Sequence, residues 1–213
     1  MNKTNWQIET DKIIKGTNGK MRLLLHSCCA PCSSASLEYL SEFFEIDVLF
    51  YNPNISTEKE FQKRLDELKR FVSAYPFIRE IKVIPVEYDH TEFLQKIKGS
   101  EFVREGGERC EKCFELRLEK TKEYAKTHGY DYFATTLTIS PLKSADILNR
   151  IGLSFQDDQI KYLPTDLKKK GRYLRSIDLS KEYRLYRQDF CGCEFSFAER
   201  QKQKTQNNDQ TSD

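Results

Sequence analysis

From Met21 onward, short apolar runs alternate with amphipathic stretches, and that alternation leaves few architectures open to the chain. Leu23-Leu24-Leu25 is apolar without interruption, as a strand buried on both faces must be, and the small residues from Ser27 to Ser34 read as the loop that follows. Ser36 to Phe44 then reads as a helix. A second strand, Ile46 to Tyr51, ends at the turn Asn52-Pro53-Asn54, and Thr57 with Glu60 forms a capping box for a helix running to Ala74. Ile81 to Ile84 is a third strand stopped by Pro85, with a short amphipathic helix from Thr91. Between Arg109 and His128, Phe114, Leu118, Thr121 and Ala125 share one helical stripe, which Gly129 closes. Tyr130 to Thr135 gives a fourth strand, Ser144 to Ile151 a helix, and Lys161 to Leu163 a brief last strand. This order predicts an α/β fold: a mostly parallel sheet with flanking helices.

The chain has 213 residues, which suits one domain better than two. Residues 21–200 are expected to form the α/β domain, ending in a basic, cysteine-containing segment. Residues 1–20 are expected to be a loosely held extension with one short helix, and residues 201–213 a disordered polar tail. No run approaches the roughly 20 apolar residues that span a bilayer, and Met1 to Lys20 lacks the apolar core of a signal peptide. A cytoplasmic protein with no membrane partner is expected.

Seven cysteines fall into three groups: Cys28, Cys29 and Cys32; Cys110 and Cys113; Cys191 and Cys193. An odd number, tightly grouped, argues for metal or redox chemistry over a disulfide framework. The first group lies where the first strand gives way to a helix, the edge at which open α/β sheets bind ligands. Helix N-terminal amides there favour thiolates, both as nucleophiles and as metal ligands. Cys110 and Cys113 stand three apart at a helix start, so their thiols face one way, and Gly106-Gly107 lets the backbone turn close to a bound group. The two groups together suggest a four-thiolate site for zinc or for an iron–sulfur cluster, and spacing does not choose between them. Cys191-Gly192-Cys193 has a single residue between thiols. A disulfide in so small a ring needs a bend at Gly192 and would be readily reduced, which suits a catalytic dithiol; two further metal ligands are the alternative.

Residues 161–204 hold twelve Lys or Arg against six Asp or Glu. Within them, Lys168-Lys169-Lys170-Gly171-Arg172-Tyr173 and Tyr183-Arg184-Leu185-Tyr186-Arg187-Gln188 interleave cations with tyrosines. Such a mixture neutralises phosphates and stacks on unpaired bases, as single-stranded RNA recognition requires, although a run of charge also serves as a solvated face.

Five motifs in order, His26-Ser27-Cys28-Cys29-Ala30-Pro31-Cys32, Phe50-Tyr51-Asn52-Pro53-Asn54-Ile55, Arg109-Cys110-Glu111-Lys112-Cys113-Phe114, Thr135-Thr136-Leu137-Thr138-Ile139-Ser140-Pro141 and Leu185-Tyr186-Arg187-Gln188-Asp189-Phe190-Cys191-Gly192-Cys193, resemble those of the QueH epoxyqueuosine reductases. The resemblance spans roughly residues 21–197. It implies a fold like that of the PP-loop, adenine nucleotide alpha hydrolase-like (HUP) enzymes. It also implies an oxidoreductase for the last step of queuosine synthesis, the cobalamin-independent reduction of epoxyqueuosine at the tRNA wobble position. A [4Fe–4S] cluster on Cys28, Cys29, Cys110 and Cys113 and a redox-active disulfide at Cys191 and Cys193 follow from it. Cys32 is then left over, for a second, mononuclear iron or as a replacement cluster ligand. Leu142 and Leu167 depart from the His and Phe more usual in the family, which bears on the substrate pocket and on no thiol.

Converting an epoxide to an alkene consumes two electrons and two protons. The expected partners are therefore tRNA carrying epoxyqueuosine and an electron donor that the sequence does not identify. An iron acting as Lewis acid and the Cys191/Cys193 dithiol would meet the need, with Asp89, His26 and Tyr51 as further proton-donor candidates or simply structural residues. The rival classes are an ATP-dependent tRNA-modifying PP-loop enzyme, a non-catalytic zinc module that binds RNA, and a general disulfide oxidoreductase.

Overall fold

The computed structural model describes residues 4–17 and 21–209. Five parallel strands, β1 (Arg22–His26), β2 (Glu45–Phe50), β3 (Val83–Pro85), β4 (Tyr132–Thr135) and β5 (Lys161–Tyr162), form one sheet in the order β3-β2-β1-β4-β5. The leucine run is buried on both faces because β1 is central. Leu23 and Leu25 pack with Ile46, Val48 and Phe50 on one side, whereas Leu24 packs with Leu49 and Phe133 on the other. The first face is covered by α2 (Ala30–Leu40), α3 (Glu58–Ala74) and α7 (Arg172–Glu182); the second by α5 (Glu108–Thr127) and α6 (Ala145–Phe155). A bidentate Arg175–Glu38 pair at 2.6 Å ties α7 to α2. Strand order reverses between β1 and β4, so the crevice at their carboxyl ends is the topological switch point. His26 and Thr135 are partners there.

Several boundaries differ from the sequence expectation. Helix α2 begins at Ala30, six residues before the expected start, since Pro31 sits in its first turn where a missing N–H costs nothing. Cys32 is therefore helical. Pro85 ends β3 as a member of it, which an edge strand tolerates. The N-terminal extension does contain one helix, α1 (Trp6–Gly16), but it is held firmly: Trp6 Nε1 donates to Asp146 at 2.5 Å, Thr10 Oγ1 to the Pro164 carbonyl at 2.7 Å, and Arg172 to Gln7. Where a disordered tail is expected, α8 (Glu194–Asp209) continues, rich in helix-forming Gln, Lys and Glu and pinned by Lys204–Asp189 at 2.5 Å and Arg200 Nε on the Asp189 carbonyl. Residues 1–3, 18–20 and 210–213 lie outside the described residues.

Gly152 on α6 abuts the buried Tyr162 ring so closely that a β-carbon would meet it at 2.3 Å. Gly152→Ala is expected to cost about 1–3 kcal/mol of stability through overpacking, read as a lowered urea midpoint; an unchanged midpoint would show that the ring moves aside.

Candidate functional site

Three helix N-termini meet at the switch point, and each carries one cysteine group. Cys29 is the N-cap of α2, with Cys28 before it and Cys32 in the first turn. Gly107 caps α5, placing Cys110 and Cys113 on its first two turns. Cys193 directly precedes α8, its sulfur accepting the Ser196 N–H at 3.4 Å. A cleft of about 310 Å³ is lined by Cys28, Cys29, Cys32 and Cys191. Beside it, a chamber of about 20 Å³ is lined by Cys110, Cys113, Cys191 and Cys193. Cys191 and Lys143 belong to both spaces, so all seven thiols surround one centre.

The Cys28, Cys29 and Cys32 sulfurs lie within 4.8 Å of one another, with Cys28 and Cys29 at 3.7 Å. Hydrogen bonds from Cys29 and Cys32 hold the Cys28 thiol well below its ordinary pKa against the penalty of burial, and the Arg117 and Lys143 charges assist. Serving as donors pushes Cys29 up to about 12 and raises Cys32 as well. The triad thus holds one thiolate shared by two thiols, and binding a metal must displace their protons. Burial drives Cys113 up to about 12, with Arg117 opposing, and Cys193 up to about 11. Burial also raises Cys110, against the Gly106 N–H that reaches its sulfur at 3.2 Å. All seven are free thiols in this structure.

The expected motifs turn out to be the scaffold of this centre. Asn52, at the end of β2, donates to the Ser27 carbonyl at 2.8 Å and accepts from Arg117 Nη2 at 2.8 Å, tying the first cysteine loop to α5. Arg109 bridges the other two groups: it pairs with Glu199 of α8 at 3.0 Å and donates to the Glu101 carbonyl at 2.8 Å. Arg64 of α3, paired with Glu60 at 2.7 Å, holds the Cys191 carbonyl at 3.0 Å. Gly192 makes the expected bend at φ +128°, and a β-carbon there would crowd Ile55 at 3.0 Å.

The proton-donor candidates are all occupied structurally. His26 is fully buried between Thr135 Oγ1 at 2.9 Å and the Tyr51 carbonyl at 3.0 Å, and burial beside Arg117 lowers it to about 3, so the ring stays neutral. Tyr51 donates its hydroxyl to Glu92 at 2.5 Å. Asp89 caps α4 (His90–Ile97) by accepting from the Thr91 N–H. Sequence reasoning missed Lys143 and Arg117. Lys143 sits at the cleft with no carboxylate paired to it among the described residues; burial works against its charge, but Cys191, Cys28 and Cys32 outweigh it and raise its pKa. Arg117 was legible in principle, being a charged residue at the i+4 position from Cys113 beside the apolar stripe of α5.

The basic segment is only partly free for a ligand. Tyr183 packs on Phe71 and Tyr75, Tyr186 lies under Lys63 and bonds Glu60, Lys170 pairs with Asp11, and Lys168 with Asp166. The cleft keeps Tyr173, Arg187 and Arg200 alongside Lys143. Leu142 lies on its rim, 69% exposed, whereas Leu167 is buried in the core away from it.

This architecture defines a cysteine-centred member of the PP-loop-like α/β proteins. Among solved structures, the fold is similar to that of the U34-tRNA thiolase NcsA from Methanococcus maripaludis, determined with its [4Fe–4S] cluster: TM-score 0.53 at 14% identity, over 89% of this chain and 67% of that one. The family model described as epoxyqueuosine reductase QueH matches residues 23–199, and the chain belongs to that family of oxidoreductases. It is 39% identical over 204 residues to the epoxyqueuosine reductase QueH of Staphylococcus epidermidis, covering 90% of this chain and 86% of that protein. To the Streptococcus pyogenes protein of the same name it is 41% identical (82% and 69% covered), and to that of Thermotoga maritima 34% (84% and 92%). No helix among the described residues is long and apolar enough to cross a membrane.

Proposed function

We propose that this chain reduces epoxyqueuosine in tRNA to queuosine, with Cys28, Cys29, Cys110 and Cys113 holding a [4Fe–4S] cluster and Cys191 with Cys193 acting as the dithiol. The observation that carries the reading is the convergence of seven thiols from three helix N-termini around one cleft. The donor set fits such a cluster: soft thiolate ligands, helix-terminal amides that favour negative charge, and a buried guanidinium in contact with Cys113. When bound, the cluster would supply single electrons and, at an open iron, a Lewis acid for the epoxide oxygen.

The chain's own residues account for the rest. Cys191, half-buried and facing the cleft, is the thiol that substrate can reach, and Cys193 lies buried behind it. Opening the epoxide to the alkene releases its oxygen as water and takes up two electrons and two protons. Closing two thiols to one disulfide supplies both, so the exchange balances, and an external reductant of the thiol class then restores the dithiol. Lys143 places an ammonium where oxygen charge develops. Tyr173, Arg187 and Arg200 ring the cleft with one aromatic and two cationic groups suited to an unpaired nucleotide and its phosphates. Cys32, in the triad but outside the cluster set, is held for a second, mononuclear iron.

Anaerobic purification with iron and sulfide analysis, followed by incubation with tRNA carrying epoxyqueuosine, tests the reading. Iron above four per chain with conversion to queuosine is expected if the second site fills. Zinc in place of iron, with the nucleoside unchanged, would sink it.

A further inference from the structure

Arg117 occupies a place that folding alone does not justify. Its side chain is 1% exposed, yet no carboxylate among the described residues lies within ion-pair distance of it. Its guanidinium donates instead to an amide oxygen, Asn52 Oδ1 at 2.8 Å, to the sulfur of Cys113 at 3.7 Å, and toward the neutral ring of His26 at 3.3 Å. The buried Arg64 and Arg109, by contrast, each hold a carboxylate, Glu60 at 2.7 Å and Glu199 at 3.0 Å. Burying a charge without a counter-charge costs several kcal/mol, so a counter-charge has to come from elsewhere. The groups around Arg117 able to become anionic are sulfurs: Cys113 in contact, with Cys191 and Cys28 close enough to act on its charge.

We propose that Arg117 is a positioning residue whose fixed positive charge neutralises the metal–thiolate centre and raises its reduction potential. The proposal rests on the cluster reading above. Every electron added to a thiolate-bound cluster adds a negative charge, and net charge is one of the main determinants of such potentials. A cation in contact with a ligand sulfur, in surroundings closed to water, stabilises the reduced form more than the oxidised one. Arginine suits this role better than lysine because it does not lose its proton in a protein, so the charge persists next to thiols that release theirs. Asn52 and His26 then have a definite task. They fix the guanidinium by two neutral contacts that leave its charge uncancelled.

The test compares wild type, Arg117→Met and Arg117→Lys as full-length, iron-loaded proteins in dye-mediated redox titrations followed by electron paramagnetic resonance. Arg117→Met is expected to shift the reduction equilibrium at least tenfold toward the oxidised form, about 59 mV for a one-electron couple. Arg117→Lys should recover most of that shift. Melting of loaded and metal-free proteins supplies a second readout, in which Arg117→Met should lose more in the loaded form than in the metal-free form. A normal cluster with an unchanged midpoint in Arg117→Met, or equal losses in both forms, would overturn this proposal alone. An Arg117→Met protein that folds metal-free but retains no cluster would support it, whereas one that fails to fold even without metal would overturn it. A wild type that takes up no iron would overturn the cluster reading and this proposal together.

Discussion

Cys191→Ser protein, supplied with tRNA carrying epoxyqueuosine and excess thiol reductant, should lose multiple-turnover reduction by on the order of a thousandfold or more. A serine hydroxyl cannot close a disulfide, so the two-electron exchange has no local donor. Cys193→Ser should behave alike, because a disulfide needs both sulfurs and the buried partner cannot be replaced from solvent. The iron content of both variants should equal that of wild type. This second measurement separates the dithiol from the alternative in which the pair are metal ligands, since a ligand's loss would lower iron along with activity. Full turnover by Cys191→Ser, scored as queuosine among the digested nucleosides, would remove the dithiol from the mechanism.

Cys113→Ala is expected to lose most of its iron while remaining folded, with reductase activity falling to background. Metal-free, Cys113 is a buried neutral thiol, as its elevated pKa of about 12 indicates. Truncating it there should cost about 1 kcal/mol, the scale of a small buried side chain. Loaded with metal, the same sulfur is a thiolate ligand in contact with Arg117, and its loss removes a bond to the cluster and the nearest counter-charge of a buried cation. Iron analysis and melting of both forms check this. A loaded Cys113→Ala protein with full iron content would show that the cluster is held by other thiols, with Cys32 as the nearest replacement in the triad.

Much of this was legible from residue order because the relevant signals are local. Thr57 does cap α3, Ser144 caps α6, Gly129 adopts a left-handed φ of +68° after α5, and the stripe Phe114, Leu118, Thr121 and Ala125 is buried. The start of α2 was misjudged because small residues resemble a loop until Pro31 is recognised as a first-turn residue. The firm seating of α1 and the continuation of α8 were not legible, since both depend on partners far away in the chain, such as Asp146 for Trp6 and Asp189 for Lys204.

The cysteine motifs, with the alternation of strands and helices, already specified a parallel α/β fold with thiol chemistry at the end of β1. Both are written in spacing and hydrophobic periodicity, which act over a few residues. Only the folded chain decided that Cys191, some 160 residues from Cys28 in sequence, shares its cleft. It likewise decided that Tyr183 and Tyr186 serve packing rather than RNA, and that Arg117 is buried without a carboxylate. Those outcomes depend on which groups end up beside one another once water is excluded, because burial and the neighbouring charges determine what a thiol, a tyrosine or a guanidinium can do.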